Sequence, residues 1–250
     1  MSQPFADHFS AVAHQYADYR PCYPEPLFAY LATLVPPSAL VWDCACGSGQ
    51  AALALARHFD RIVATDASQE QVAAAMPHPG VEYRVVPAEQ SGLPAAGVGL
   101  ITVAQALHWF DLERFYPEAR RVLAPGGVIA VWSYGVIAVE GDAANHLLRE
   151  FYSQTLGPYW PPERRVVEEG YRTLPFPFVE LTPPALAMEA RWTLAELLGY
   201  LGTWSATTRY RKALGRDPIA PLTAKLVRVW GEAHSARRIT WPLSLRVGRK

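Results

Sequence analysis

The fold of this chain is decided by the stretch Val41-Trp42-Asp43-Cys44-Ala45-Cys46-Gly47-Ser48-Gly49-Gln50. The apolar run 39–44 predicts a short buried strand, and the alanine-rich run 51–59 predicts a helix that can pack closely against a sheet. Small residues between them let a ligand approach the backbone, and the first N–H groups of a helix have no partner within that helix. We therefore predict a strand, a turn and a helix that together bind a ligand at residues 43–49.

Strand-like and helical patterns alternate on both sides of this turn. Further short apolar runs at 61–65, 81–86, 98–104 and 128–132 predict strands, and helical patterns separate them. Strands that alternate with helices at short spacing are typical of an α/β fold with a parallel sheet covered on both faces. Pro117 falls inside one apolar helical pattern and predicts an interruption of that helix. At the other end of the chain, residues 239–247 alternate as a final antiparallel strand should.

The composition excludes several classes of protein. Among 250 residues, 23 basic side chains balance 23 acidic ones, so the chain lacks the positive charge with which proteins neutralise nucleic-acid phosphates. No run approaches the ~18 apolar residues that span a bilayer, and the N-terminus has no pattern of a secretory signal. The three cysteines are too few for a disulfide framework. We therefore expect a cytoplasmic protein with no nucleic-acid and no membrane partner, and the isolated pair Cys44 and Cys46 predicts no metal site.

Two acidic residues accompany the glycine turn. Asp43 precedes it, and a carboxylate there suits a cationic ligand better than a phosphate. Asp66 ends the predicted second strand, where a carboxylate can accept both hydroxyls of a ribose. The glycines alone also satisfy G-x-G-x-x-A over 47–52, which would indicate an NAD(P)-linked oxidoreductase. That alternative leaves Asp43 unexplained and predicts a sheet without an antiparallel end, and a cofactor-binding protein without catalysis is a third alternative.

A family resemblance rests on these residues. The pattern Asp43-x-Ala45-Cys46-Gly47-x-Gly49, with Asp66, Ala88-Glu89 and Leu123-Ala124-Pro125-Gly126-Gly127, resembles class I S-adenosylmethionine-dependent methyltransferases. The segments Tyr16-x-x-Tyr19-Arg20-Pro21-x-Tyr23-Pro24 and Gln105-Ala106-x-His108-Trp109-Phe110 resemble more narrowly the trans-aconitate methyltransferase-like branch. The resemblance is clear over about residues 5–135 and looser beyond them. One departure is Ala45, where the family has its first glycine, so that its methyl group crowds the cofactor slightly.

The resemblance implies a fold, a reaction and a division of the chain. The fold is Rossmann-like, with a mostly parallel seven-stranded sheet, helices on both faces, an antiparallel C-terminal strand and a helical lid insertion. The reaction is methyl transfer from S-adenosylmethionine to a small molecule, with S-adenosylhomocysteine as product, by a monomer or a homodimer. The four parts are an N-terminal arm and helix over the cofactor site (1–35), the cofactor-binding core (36–135), a substrate lid with a hairpin strand (136–235) and the C-terminal strand (236–250).

The resemblance also implies which residues hold the cofactor. The turn residues Gly47 and Gly49 line its methionine part beside Ala45, and Asp43 holds the amino end through the turn. Asp66 holds the ribose. The remaining members are placed by motif alone: Ala67 beside the adenine, Ala88 and Glu89 at the adenine edge, Gln105 and Ala106 near the methionine or the sulfonium, and the arm residues Tyr16 and Arg20 over the site, with Arg20 toward the methionine carboxylate.

The acceptor site is less clearly marked. His108 follows the fourth strand at the carboxyl edge of the sheet, where ligands bind in such folds, so it is a candidate substrate contact or general base; a hydrogen-bonded structural histidine is the alternative. Trp109 is a candidate wall of the site. Later in the chain, aromatic residues and arginines suggest an apolar carboxylate pocket, with Trp160, Trp204 and Arg209 as candidates and Arg164 among the neighbouring arginines. A carboxylate acceptor would need no base, whereas a hydroxyl, amine or carbon acid would need His108.

Overall fold

The computed structural model describes residues 21–232 and 234–250. Five parallel strands form its centre in the order β3-β2-β1-β4-β5. They are β1 (Leu40–Cys44), β2 (Arg61–Asp66), β3 (Val81–Val85), β4 (Val98–Ala104) and β5 (Leu123–Tyr134). The strand order reverses between β1 and β4, and a crevice at such a point is where open α/β sheets bind ligands.

Helices cover both faces of this central sheet. The first face carries α1 (Glu25–Ala32) and α2 (Gln50–Leu55), and their leucines and alanines join the apolar side of the strands. The second face carries α4 (Leu112–Val122), whose Phe115 packs against Trp42 of β1. The short helix α3 (Gln69–Ala73) follows β2. Because both faces are covered, β1 is an almost unbroken buried run, as the sequence predicted.

The expected interruption at Pro117 is wrong, because α4 runs through this residue. Proline removes one backbone donor and leaves the carbonyl group of Glu113 without its usual partner. Both residues are exposed, so water can satisfy that carbonyl group. The buried side chains of Phe115, Ala119 and Val122 hold the helix against the sheet on its other side.

The C-terminal strand β9 (Arg237–Arg249) is antiparallel to β5, as predicted. It also pairs with β6 (Ala138–Val139), β7 (Val179–Leu181) and β8 (Leu186–Trp192). The described residues thus form one nine-stranded sheet, and the predicted count of seven strands is too low. The reason is the length of β9. Its 13 residues extend beyond the part that pairs with β5, and the remaining half pairs with β8.

The insertion between β6 and β9 is mainly helical. It contains α5 (Asp142–Glu150), continued by a π-helical turn at Phe151–Thr155, and then α6 (Arg164–Glu168), α7 (Leu194–Gly202), α8 (Ser205–Leu214) and α9 (Ile219–Trp230). All of these helices except α6 share a second apolar core with Trp241 of β9 and Met188 of β8, whereas Val167 of α6 packs into the core of the central sheet. A capping box of Thr193 and Glu196 begins α7. None of the helices in the described part of the chain combines the length and apolar character needed to cross a membrane.

Candidate active site at the carboxyl edge of the sheet

The turn after β1 adopts a backbone conformation that glycine favours. Gly47 and Gly49 have φ angles of 55° and 86°, and Ala45 has 55°. Left-handed backbone at a residue with a side chain costs on the order of 1–3 kcal/mol, so the alanine at this family glycine position is strained. The Cys46 amide donates to the Thr65 carbonyl at 2.9 Å and attaches the turn to β2. The turn is therefore held in one conformation by its neighbouring strand.

Asp43 is buried directly behind this turn. Its side chain is 1% exposed, and its Oδ1 accepts a hydrogen bond of 2.7 Å from the Thr102 hydroxyl group. Its Oδ2 is also buried and has no hydrogen-bond partner among the described residues. Burial raises the pKa of Asp43 to about 7, and the nearby charge of Asp66 adds to this effect. A buried carboxylate oxygen without a donor fits the ammonium end of a ligand seated on the turn.

Asp66 connects the turn to the end of β2. Its Oδ2 accepts from the Gly47 amide at 2.8 Å, and its Oδ1 accepts from the Ser68 amide at 2.9 Å. A carboxylate has about four acceptor positions, so roughly two remain for hydroxyl groups of a ligand. Ser68 caps α3 by accepting from the Gln71 amide. Asp66 is thus left to the turn and to a ligand beside it.

The other cofactor candidates surround the same edge. Ala67 is exposed next to Asp66, and Ala88 is half-buried. Glu89 accepts from the Asp111 amide at 3.1 Å and thereby connects this segment to the start of α4. Gln105 has a left-handed φ of 57° and its amide donates to the Trp132 carbonyl, while Ala106 is buried. Tyr16 and Arg20 lie outside the described residues.

His108 lies beyond β4 in a short 3-10 turn, Leu107–Trp109. Its Nδ1 is 2.8 Å from the hydroxyl oxygen of Tyr171, a fully buried residue of the insertion. Burial lowers the pKa of His108 to about 4, and the positive charge of Arg164 lowers it further. Trp109 is 38% exposed, with its ring centroid 4.7 Å from that of His108. The imidazole is therefore neutral and is enclosed by the core on one side and the insertion on the other.

Three aromatic rings and one arginine meet in the insertion. The ring centroids of Trp160 and Trp204 are 5.4 Å apart, and each lies within 5.6 Å of the Tyr152 ring. The Arg164 guanidinium lies 5.0 Å from the centroid of the Trp160 ring, and its Nε donates to the Tyr152 hydroxyl at 2.7 Å. The Arg164 side chain is only 20% exposed. Tyr152 also donates a hydrogen bond to Glu168, and this bond fixes the orientation of Tyr152 and Arg164 relative to each other.

The structure therefore joins some acceptor-site candidates and separates others. Trp160 and Trp204 lie together, and Trp160 contacts Arg164, whose charge also acts on His108. Arg209 is instead on an exposed position of α8. Sequence reasoning missed Tyr171 and Tyr152, which lie far along the chain in a segment without a strand–helix rhythm. It also missed Thr102, although the pairing of Asp43 with Thr102 follows from the alignment of two predicted neighbouring strands.

Comparison with known proteins places this arrangement in a family. Residues 42–131 match a family described as a methyltransferase domain. A Dictyostelium discoideum protein named as a methyltransferase is 31% identical over 229 residues, which cover 90% of this chain and 87% of that protein. A solved Anaeromyxobacter dehalogenans structure, named as a type II methyltransferase, shares 47% identity over 92% of this chain and 98% of its own, with a TM-score of 0.88.

A more distant structure shares the fold alone. Phosphoethanolamine N-methyltransferase 2 of Haemonchus contortus, solved with phosphomonomethylethanolamine and S-adenosylhomocysteine, is 15% identical over 98% of this chain and 58% of its own, with a TM-score of 0.51. The fold and the turn define a class I methyltransferase. This chain belongs to that family and is an S-adenosylmethionine-dependent methyltransferase. The nicotinamide-linked alternative is not supported, since β9 closes the sheet in the antiparallel direction.

Proposed function

We propose that this methyltransferase acts on a small-molecule carboxylate, as its resemblance to the trans-aconitate methyltransferase-like branch implies. The observation that carries this proposal is Arg164, a cation that lies over the rings of Tyr152 and Trp160 and is close enough to His108 to lower its pKa. Its Nε donates to the Tyr152 hydroxyl group and lies 3.7 Å from Oε1 of Glu168, whereas neither Nη group makes a hydrogen bond to a described residue, so both remain for a ligand. A guanidinium group with two such donors matches the two oxygens of a carboxylate.

The cofactor assignment within the proposal follows the predicted residues. Asp43 receives the amino end of S-adenosylmethionine, Asp66 its ribose hydroxyls, and Gly47 and Gly49 its methionine part. Two observations support the fit: the orphaned Oδ2 of Asp43 and the remaining acceptor positions of Asp66. Ala67, Ala88, Glu89, Gln105 and Ala106 border the same edge, and Tyr16 and Arg20 complete the predicted set.

The residues of the chain then bind and align the acceptor and exclude water. S-adenosylmethionine supplies an electrophilic methyl group whose leaving thioether is neutral, so transfer needs alignment of the acceptor more than proton transfer. Arg164 holds an acceptor that is already ionised. Trp160 and Trp204 exclude water and limit the positions that the acceptor can take. Trp109 forms the opposite wall.

The test measures binding and turnover separately. Calorimetry with S-adenosylhomocysteine and with NAD(H) identifies the cofactor, and S-adenosylhomocysteine release is then followed across small carboxylic acids, phenols and amines. We expect release with a carboxylic acid and none with its amide. If none of the tested acceptors causes release of S-adenosylhomocysteine, the non-catalytic alternative is favoured. Release only with amines or phenols would refute the carboxylate assignment.

A pair of variants identifies the cation. Arg164→Ala should raise KM for the carboxylate about 10- to 100-fold, the scale of a hydrogen bond to a charged group, and leave S-adenosylhomocysteine affinity unchanged. Arg209→Ala is the matched control because it removes the same side chain from an exposed position. If Arg209, as predicted from sequence, were the cation that binds substrate, the two variants would show the reverse order.

The remaining parts of the proposal concern partners and location. The balanced charge of the chain favours a small molecule over a nucleic acid. All three cysteines are free thiols, which supports a reducing, cytoplasmic compartment. The chain acts as a monomer or a homodimer, which light scattering distinguishes.

A further inference from the structure

The hydrogen bond between Tyr171 and His108 determines which nitrogen of the imidazole carries the proton. Tyr171 is fully buried, so its phenol group cannot exchange hydrogen bonds with water. A buried hydroxyl group without an acceptor would cost about 1–3 kcal/mol. In the described part of the chain, the hydrogen-bond partner of this hydroxyl is Nδ1 of His108, at 2.8 Å.

This hydrogen bond determines the position of the imidazole proton. The phenol group of Tyr171 has one proton to donate, and Nδ1 of His108 is the hydrogen-bond acceptor that the described residues place within its reach. Nδ1 can accept only when it carries no proton, and a neutral imidazole then carries its proton on Nε2.

The second nitrogen is directed away from this contact. Nε2 is across the ring from Nδ1 and has no hydrogen bond to another described residue, while the His108 side chain is only half-buried. The charged group that acts on the ring is Arg164, and the neighbouring titratable group is Tyr171. Both oppose protonation of His108, one by its positive charge and the other by donating to Nδ1.

We infer that Tyr171 is a positioning residue that holds His108 as the neutral Nε2–H tautomer, so that His108 donates a hydrogen bond to the acceptor and takes no proton from it. The pocket then presents two kinds of donor, the imidazole N–H and the guanidinium of Arg164, and its histidine does not act as a base. Such a pocket suits an oxygen that is ionised before it binds. The catalytic part of this inference rests on the proposed function, whereas the tautomer does not.

The tautomer is tested by ¹⁵N NMR of the imidazole nitrogens in the whole protein, with the His108 signals assigned from His108→Gln. At pH 7 we expect Nδ1 to be unprotonated and Nε2 protonated, with no change down to pH 5. Tyr171→Phe should abolish this preference and give a mixture of tautomers. Tyr116→Phe is the matched control, since that tyrosine is also buried but donates to the Pro175 carbonyl. A protonated Nδ1 in the wild-type protein would overturn the inference.

Turnover separates a donor from a base. With a carboxylate acceptor, His108→Gln keeps a neutral N–H donor and should remain within about tenfold of wild-type kcat, whereas His108→Ala should lose about 10- to 100-fold. If His108 were a general base, both variants would lack it, and kcat would fall by about 100-fold or more in each. Equal losses would therefore refute the donor role. If no acceptor is turned over, the proposed function fails while the NMR result still decides the tautomer.

Discussion

Thr102 donates a hydrogen bond of 2.7 Å to the buried carboxyl group of Asp43, across the pair of strands where the sheet reverses its order. The two residues face each other in the strand register, so the sheet itself brings them together. Only one carboxyl oxygen is satisfied in this way. The protein thus keeps a carboxyl group of raised pKa immediately behind the turn that we propose binds the cofactor.

The first prediction concerns proton release at Asp43. The folded-state pKa of about 7 lies above the ordinary value of 3.8 for an aspartate, so the fold favours the protonated carboxyl group. Without ligand, the protonated Asp43 contributes its full stabilisation of the folded state at about pH 4 and below. This stabilisation is lost as the pH rises from about 4 to 7. An ammonium group beside Asp43 favours the ionised form, so S-adenosylhomocysteine should displace a proton at pH 6 and less at pH 8.

Calorimetry in two buffers of different ionisation enthalpy measures this release. In Asp43→Asn, the buffer dependence at pH 6 should disappear and the affinity should fall. Identical binding heats in both buffers for the wild-type protein would show that Asp43 does not receive the ammonium group.

A second prediction concerns the ribose contact of Asp66. Asp66→Ala should weaken S-adenosylhomocysteine binding by roughly tenfold or more, since hydrogen bonds to a charged group are lost. Asp60→Ala removes an exposed carboxylate just before the same strand and should leave the affinity unchanged. Unchanged affinity in Asp66→Ala would refute the assignment, and thermal unfolding monitors the loss of the Gly47 contact.

A third prediction compares two glycines with left-handed backbone. A Cβ at Gly49 would collide with the Tyr83 hydroxyl group, whereas a Cβ at Gly92 would meet nothing within 4 Å. Gly92→Ala should therefore cost about 1 kcal/mol for backbone strain alone, and Gly49→Ala should cost more because Tyr83 must also move. Denaturant unfolding measures both, and equal costs would show that Tyr83 does not restrict the turn.

A fourth prediction concerns the anchor between α4 and the segment before β4. Glu118 accepts from the Ser91 amide and hydroxyl groups and from Arg121, and this arginine above all lowers its pKa to about 2. Because the folded-state pKa is lowered, the stabilisation is present above the ordinary glutamate value of 4.5 and is lost as pH falls toward 2. Glu118→Gln should reduce the free energy of unfolding by about 1–3 kcal/mol at pH 7.

The difference between this variant and the wild-type protein should shrink below pH 4.5. Glu113→Gln on the same helix is exposed and should have no effect. A Glu118→Gln effect that does not vary with pH would mean that ionisation of Glu118 does not contribute to stability.

Local patterns predicted the central strands well, because each is a short apolar run next to a helical pattern. The expected break at Pro117 failed for a tertiary reason, since buried neighbours on the other side of the helix compensate one lost hydrogen bond. The strand count failed because β9 pairs with strands far away along the chain, and pairing over such distances leaves no local signal.

The sequence by itself determined the turn, its two acidic residues and hence the family, because these residues act through neighbours a few positions away or through a fixed strand register. Only the tertiary structure decided that Arg164 and not Arg209 joins Trp160 and Trp204, and that Tyr171 meets His108. Which side chains meet across an insertion depends on how its helices pack against the sheet. That packing follows from many small apolar contacts spread over the whole chain, and no single motif records it.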